Sequence, residues 1–459
     1  MIGTYMRRLR SSQVSRQFVG TVFWSLVGEA MMRGLSMLGL IFVARILGPT
    51  TFGEFGLIRT TLLMVAGFGG LGLGLMANRF VAEHRTSDPE FSSQIIGASY
   101  LISLVSGLIL GTAVFATSGL ISDSLLHAPR LGESLRLASF VLVGTAVSGA
   151  QIGIMQGLQA YRNLAIGNLV QGILTFACGV VGAYYGGLTG AMYGILIQAF
   201  TGVAVFHILI ARETRRQNLD LMTFEFRRVL PLLWTFSLPT TLCIIAVGPF
   251  KWISETWLAR DAGFAHLGTF HAAMVIANVL IAVASTLNAP LITVTAGLQK
   301  GPQSATAQFV NLFGSWYAFL LLAIPVALFP DLLALSFSAE FRTAEFRAAL
   351  LLLVMYCALL VYYQGMTRVF MMSGSMWIAF MTNVVEGVVL FVAFALLASH
   401  GVVGLGVAYL LSYVARILIS IPFLLRTRLI PLWLLFDRYF LLSFAVLTGV
   451  VLLQYRSPP

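Results

Sequence analysis

The residues in this chain best placed to do chemistry are charged side chains set in the middle of long apolar stretches. The stretch 18–47 carries Glu29 and Arg33, four residues apart and so on one helix face, with Ser25 and Ser36 extending the same stripe. The stretch 232–258 carries Lys251 and Glu255 at the same spacing, alongside Trp252 and Trp257. Arg59, Glu386 and Arg416 lie in three further stretches, and His271 in a fourth. A charge at the centre of a membrane helix costs on the order of 2.5–3.5 kcal/mol, so each needs a partner or a wet cavity. Taken singly, these groups read as paired glue between helices. As a set, Arg33, Arg59, Lys251 and Arg416, with His271, are candidates for a cationic cavity that takes phosphate or acidic sugars. Guanidinium forks match phosphate oxygens, which gives the set that chemistry. Glu29, Glu255 and Glu386 are the candidates for pairing, or for taking a coupling proton or monovalent cation.

Other chemistries find no support. Gly67-Phe68-Gly69-Gly70-Leu71-Gly72 fits the dinucleotide pattern, but it follows no strand and sits in an apolar stretch, so helix packing explains it. Gly182, Gly186, Gly190 and Gly194 repeat a GxxxG spacing, but across a turn, so they are not one contact face. The six histidines lack metal-ligand spacing, and Cys178, Cys243 and Cys357 are scattered in apolar stretches where they read as core. No Walker motif or nucleophile elbow is visible, so no hydrolytic enzyme, metal or cofactor is expected.

The elements that must position these charges are membrane helices. The chain is 58% hydrophobic and 10% charged, against roughly 25% charged for a soluble domain, and its mean hydropathy is +0.91. Apolar stretches long enough to cross a bilayer lie at 18–47, 55–80, 91–116, 135–157, 163–185, 188–210, 232–258, 264–298, 307–329, 346–373, 375–398 and 402–425, with a weaker one at 439–455. The net charge of +11 comes from loops rather than from a nucleic-acid surface. Lys and Arg gather in alternate loops, among them Arg7, Arg8, Arg10, Arg16, Arg212, Arg215, Arg216, Arg227, Arg228 and Lys300. The opposite loops hold only Arg130, Arg260, Arg342, Arg347 and Arg456, which places the N-terminus in the cytoplasm.

The chain also repeats itself. At an offset of 215, Val43-Ala44-Arg45 lies over Leu258-Ala259-Arg260, Gly48 over Gly263, Gly53 over Gly268 and Phe55 over Phe270. At 214, Gly187 and Gly190 lie over Gly401 and Gly404, and at 208 Gln156-Gly157 lies over Gln364-Gly365. His271 falls over Gly56 and so breaks the repeat, and Lys251 falls over Ser36 rather than Arg33. The expected fold is an all-α polytopic membrane protein with two pseudo-symmetric six-helix lobes around a central cavity and an extra C-terminal helix. Its parts are an N-lobe at 1–211 (helices 1–6), a basic cytoplasmic loop at 212–231, a C-lobe at 232–425 (helices 7–12), and an interfacial segment with helix 13 at 426–459.

Ala44-Arg45-Ile46-Leu47-Gly48-Pro49, followed by Phe52-Gly53, resembles the turn after the first helix of Wzx-type polysaccharide and O-antigen flippases. These form the polysaccharide branch of the multidrug/oligosaccharidyl-lipid/polysaccharide exporter superfamily. Gln156-Gly157-Leu158-Gln159-Ala160-Tyr161-Arg162 resembles the end of their fourth helix, and Gly401 to Ala408 the glycine-rich start of their twelfth. The resemblance implies an inner-membrane flippase that moves an undecaprenyl-pyrophosphate-linked oligosaccharide outward by alternating access. Membrane lipid, a polysaccharide polymerase and chain-length proteins are the implied partners, with no nucleic acid. A multidrug/cation antiporter of the same superfamily is the alternative, and a membrane glycan polymerase or ligase a more distant one.

Overall fold

The structure, a computed structural model, describes residues 13–70, 72–221, 227–287, 291, 304–372, 376–426, 430 and 432–456. The basic residues Arg7, Arg8, Arg10 and Lys300, Pro431 of the interfacial segment, and nearly all of 288–298 expected to close the eighth helix lie outside these residues. Among the described residues every regular element is helical.

The first helix, α1 (Gln13–Gly69), is interrupted at Gly48, where φ of 73° ends one apolar arm and Pro49 starts the next. Then follow α2 (Leu73–His84), α3 (Pro89–Leu120), α4 (Gly132–Gly157) and α5 (Tyr161–Arg216), the last broken at Gly187. The second half holds α6 (Leu238–Ile245), α7 (Gly248–Asp261), α8 (Phe264–Thr286), α9 (Ser304–Leu328) and α10 (Pro330–Phe337). It ends with α11 (Ala344–Met372), α12 (Met376–Leu397), α13 (Gly401–Arg426) and α14 (Arg438–Arg456). Among the described residues, ten stretches are long and apolar enough to cross a membrane, and three of them hold two arms joined at Gly48, Gly187 or Gly401. Counted by arm, the apolar segments match the twelve strong stretches and the weaker thirteenth in the sequence.

The glycine breaks carry the internal repeat in their backbone angles. Gly48 (φ 73°, ψ 171°) and its counterpart Gly263 (φ 102°, ψ 162°) share one conformation. Gly187 (φ 55°, ψ −134°) and Gly401 (φ 56°, ψ −127°) share another. All four sit where an L side chain is strained. Gly187 turns α5 into a hairpin, because a Cβ on Gly182 would strike the carbonyl of Gly190, and one on Gly194 that of Cys178. The first arms of α1 and α5 run parallel: Gly39 approaches Phe176, and Gly172 approaches Met32.

The two halves meet along the second arm of α1 and α8, which run parallel through Gly53–Gly268 and Gly56–His271. Both pairs have the repeat's offset, so a pseudo-two-fold axis passes between them, as in parallel transporter repeats. Gly74, two residues past the nucleotide-like pattern, packs on Gly149 and Gly153 of α4 in a close helix contact. The thirteenth apolar segment joins the second lobe: Phe440 of α14 stacks on Tyr362 at 4.5 Å, and the Trp316 indole donates to Ser443 at 2.9 Å.

Candidate functional site

Three of the sequence candidates, Lys251, Glu386 and Arg416, meet across helices in a pattern that spacing along one helix does not show. Lys251 and Glu255, four apart on α7, do not pair with each other. Lys251 Nζ instead lies 3.3 Å from Glu386 Oε1 of α12. Arg416 of α13 binds the other oxygen of the same carboxylate and also the Asn383 side-chain oxygen. Asn383 in turn donates to the Cys243 carbonyl at 2.8 Å, and the Arg416 guanidinium lies 4.3 Å over the Tyr363 ring. Glu386 is 1% exposed, so one buried carboxylate holds two cations from two helices. Its partner set explains why a bare acid is tolerated there.

Glu255 is bound differently. The Tyr409 hydroxyl donates to its Oε1 at 2.9 Å, and its Oε2 faces His271 Nε2 of α8 at 3.7 Å. That separation is too long for a hydrogen bond. Neither facing atom has a hydrogen-bond partner, and both are buried. His271 owes its position to the break in the repeat. A Cβ on Gly56 would lie 2.9 Å from His271 Nε2 and 2.8 Å from its Cγ, so the imidazole occupies the room its counterpart leaves empty.

Arg59, one turn further along the same arm of α1, points into a cavity of about 220 Å³. Lys251, Glu255, His271, Tyr356 and Tyr409 line it with Arg59. Among the described residues Arg59 is exposed and makes no ion pair or hydrogen bond. The cavity spans the boundary between the lobes, which the Trp252 indole also crosses by donating to Thr61 at 2.8 Å. With Arg59, Lys251 and Arg416 set against Glu255 and Glu386, the cluster has a formal surplus of one positive charge. Such a site attracts an anion and has a free guanidinium to bind it.

The structure does not bring Arg33 and Glu29 into this cluster. Arg33 Nε donates to Glu29 at 3.0 Å within α1, and both side chains remain partly exposed outside the cavity lining. The opposite-charge pairs expected on equivalent helices are therefore one pair within a helix and one network across several. Tyr356, Tyr409, Tyr413 and Asn383 escaped the sequence reading. Tyr409, Tyr413 and Arg416 fall on one face of a helix by their spacing, the one signal that could have linked them.

Residues 18–295 match the model of the family described as polysaccharide biosynthesis protein. The chain belongs to that family. No curated protein matches it in sequence. Among solved structures, it is similar to an inward-facing multidrug resistance MATE family transporter of the MOP superfamily, with 16% identity over 88% of this chain and 98% of that one, at a TM-score of 0.64. An outward-facing transporter of the same description matches over 96% and 97%, with 16% identity and a TM-score of 0.62. A MOP superfamily transporter from Pyrococcus furiosus, described as having a binding pocket of reversed polarity that suggests a different function, matches at 17% identity and 0.61 over 92% and 97%. At these identities the likeness is one of fold. This family member is a multi-pass membrane protein with a transporter's architecture.

Proposed function

We propose that the protein is a flippase that carries an undecaprenyl-pyrophosphate-linked oligosaccharide across the bacterial inner membrane for surface polysaccharide synthesis. The observation that carries this reading is Arg59, an unpaired guanidinium in a cavity between two pseudo-symmetric lobes. Lys251 stands beside it, and the aromatic rings of Tyr356 and Tyr409 offer faces for sugar. In this reading the pyrophosphate or an acidic sugar binds Arg59 and Lys251 while the lipid tail stays in the bilayer. Rocking of the lobes about their shared axis then presents the head group to the other side. The basic segment 212–231 and the N-terminus lie in the cytoplasm, and a polymerase with chain-length proteins takes the product. An ion gradient or consumption of that product supplies the direction. Glu29 and Glu386 are already ion-paired, which leaves Glu255 as the acid open to a coupling ion.

The test is complementation of a deletion strain, with surface glycan as the readout. Wild type restores export, and an Arg59→Ala/Lys251→Ala variant present at the same level in the membrane does not. Normal surface glycan in that variant would overturn the site, and drug sensitivity with intact glycan in the deletion strain would favour the multidrug antiporter.

A further inference from the structure

The Glu255–His271 contact is unusual for a buried pair. Glu255 exposes 6% of its side chain and His271 11%, yet the two atoms that face each other have no hydrogen-bond partner. Buried polar atoms are nearly always satisfied, and a pair of exceptions aimed at one another needs a reason. Here the gap of 3.7 Å between Oε2 and Nε2 is about 1 Å longer than a charge-assisted hydrogen bond between the same groups. One proton shared between carboxylate and imidazole would close it.

The surroundings favour a proton over a metal ion. The groups facing the pair are Tyr409 of α13, Tyr356 of α11, Arg59 and Thr60 of α1, and Lys251 one turn away on α7. Glu386 of α12 is taken by Lys251 and Arg416. Two cations stand close by, and a single carboxylate remains for any incoming ion, a poor set for a monovalent metal that prefers several oxygens.

The pair also sits on the joint between the lobes. His271 belongs to α8 of the second lobe and rests in the notch left by Gly56 of the first, its Cδ2 within 2.5 Å of where a Cβ would stand. Any movement of the imidazole toward Glu255 changes how it seats against the α1 backbone. We propose that Glu255 and His271 form a single-proton site whose occupancy is transmitted to the lobe boundary through the Gly56 notch. The proposal deepens the transport reading given above, but its device is a property of the protein without cargo. Protonation lets the Glu255 carboxyl and the imidazole share a hydrogen bond, which draws the ring toward Glu255 and releases its fit against Gly56. Deprotonation returns it to the notch and holds the second arm of α1 against α8.

The experiment measures the distance between the lobes rather than transport, so its failure and the failure of the flippase reading are separable. Spin labels at Glu83 of the first lobe and Leu425 of the second, both exposed, report the separation in nanodiscs without substrate. The expected result is two distance populations that exchange between pH 5 and 9 with the slope of one proton. Glu255→Gln and His271→Gln should each abolish the exchange while keeping a monodisperse, folded protein. Gly56→Ala, which fills the notch, should bias the populations to the separated form at every pH. Exchange that persists in both Gln variants, or no change with pH in the wild type, overturns the proposal. Exchange driven by replacing choline with sodium at fixed pH overturns the assignment to a proton.

Discussion

Gly53 and Gly268, residues 215 apart in the chain, touch backbone to backbone where the two lobes cross. A Cβ on Gly53 would lie 2.9 Å from Gly268 N, and one on Gly268 would lie 3.0 Å from Gly53 N. The reciprocity extends to their neighbours. Gly53 abuts the Phe264 carbonyl and Gly268 the Pro49 carbonyl, and these two are also equivalent by the repeat. Two helices related by the pseudo-two-fold axis therefore share one crossing point, and only glycine fits on either side of it.

Gly53→Ala and Gly268→Ala should each force these helices apart. Because the obstacle is backbone, which cannot rotate away, we expect a loss of about 1–3 kcal/mol in each variant. Thermal unfolding followed by size exclusion measures it. Gly34→Ala is the control: nothing lies within 4 Å of its new methyl group, and a helix interior gains up to ~1 kcal/mol from the exchange.

Glu386 serves Lys251 and Arg416 together, so Glu386→Gln should leave two cations without a counter-charge. Breaking a buried pair by removing one partner costs about 3–5 kcal/mol. The variant should accumulate poorly and melt early. Lys251→Met on that background should recover part of the loss, since one of the stranded charges is then gone. Melting temperatures of the four proteins in the cycle give the coupling, and strict additivity would contradict the shared-carboxylate geometry.

On the side of the glycine turns, Phe52 of the first lobe packs edge-to-face on Phe341 of the second, with ring centres 6.3 Å apart. Phe52→Ala and Phe341→Ala should couple by about 0.5–1.5 kcal/mol in a double-mutant cycle, the value for an aromatic pair beyond its burial. Coupling near zero in thermal unfolding would mean that the lobes do not rest closed at this end.

Asp88 caps α3 by accepting from the Phe91 backbone N–H at 3.0 Å, and Arg228 donates to its other oxygen at 2.7 Å. The backbone hydrogen bond from Phe91 first, and then Arg228, hold its carboxyl below the ordinary value, which is about 3.9 in an unfolded chain. A lowered carboxylate pKa contributes stability in full above the unfolded value. That contribution is lost as pH falls through the folded value. Asp88→Asn should therefore flatten the acid limb of the stability curve and leave its neutral-pH shape unchanged. Melting temperatures of wild type and variant from pH 3 to 7 check the sign.

The sequence by itself determined the helices, their order and the repeat. Apolar length decides where a chain can cross a bilayer, and Gly48, Gly187, Gly263 and Gly401 announce their turns because positive φ is a local property of the backbone. The offset of 215 already placed Gly53 over Gly268 and Gly56 over His271. Only the tertiary structure showed that those equivalent residues are also neighbours, which follows from where the axis runs and from no local preference. Partner choice was decided at the same level. Spacing four residues apart paired Lys251 with Glu255, as it does correctly for Glu29 and Arg33. In the folded protein Lys251 turns to Glu386, which Arg416 also holds, and Glu255 is left to Tyr409 and His271. Helical spacing names the side chains that can meet on one helix. Which of them do meet depends on the helices packed alongside, and for Lys251 and Glu255 these bring Glu386 and Tyr409 from more than a hundred residues away.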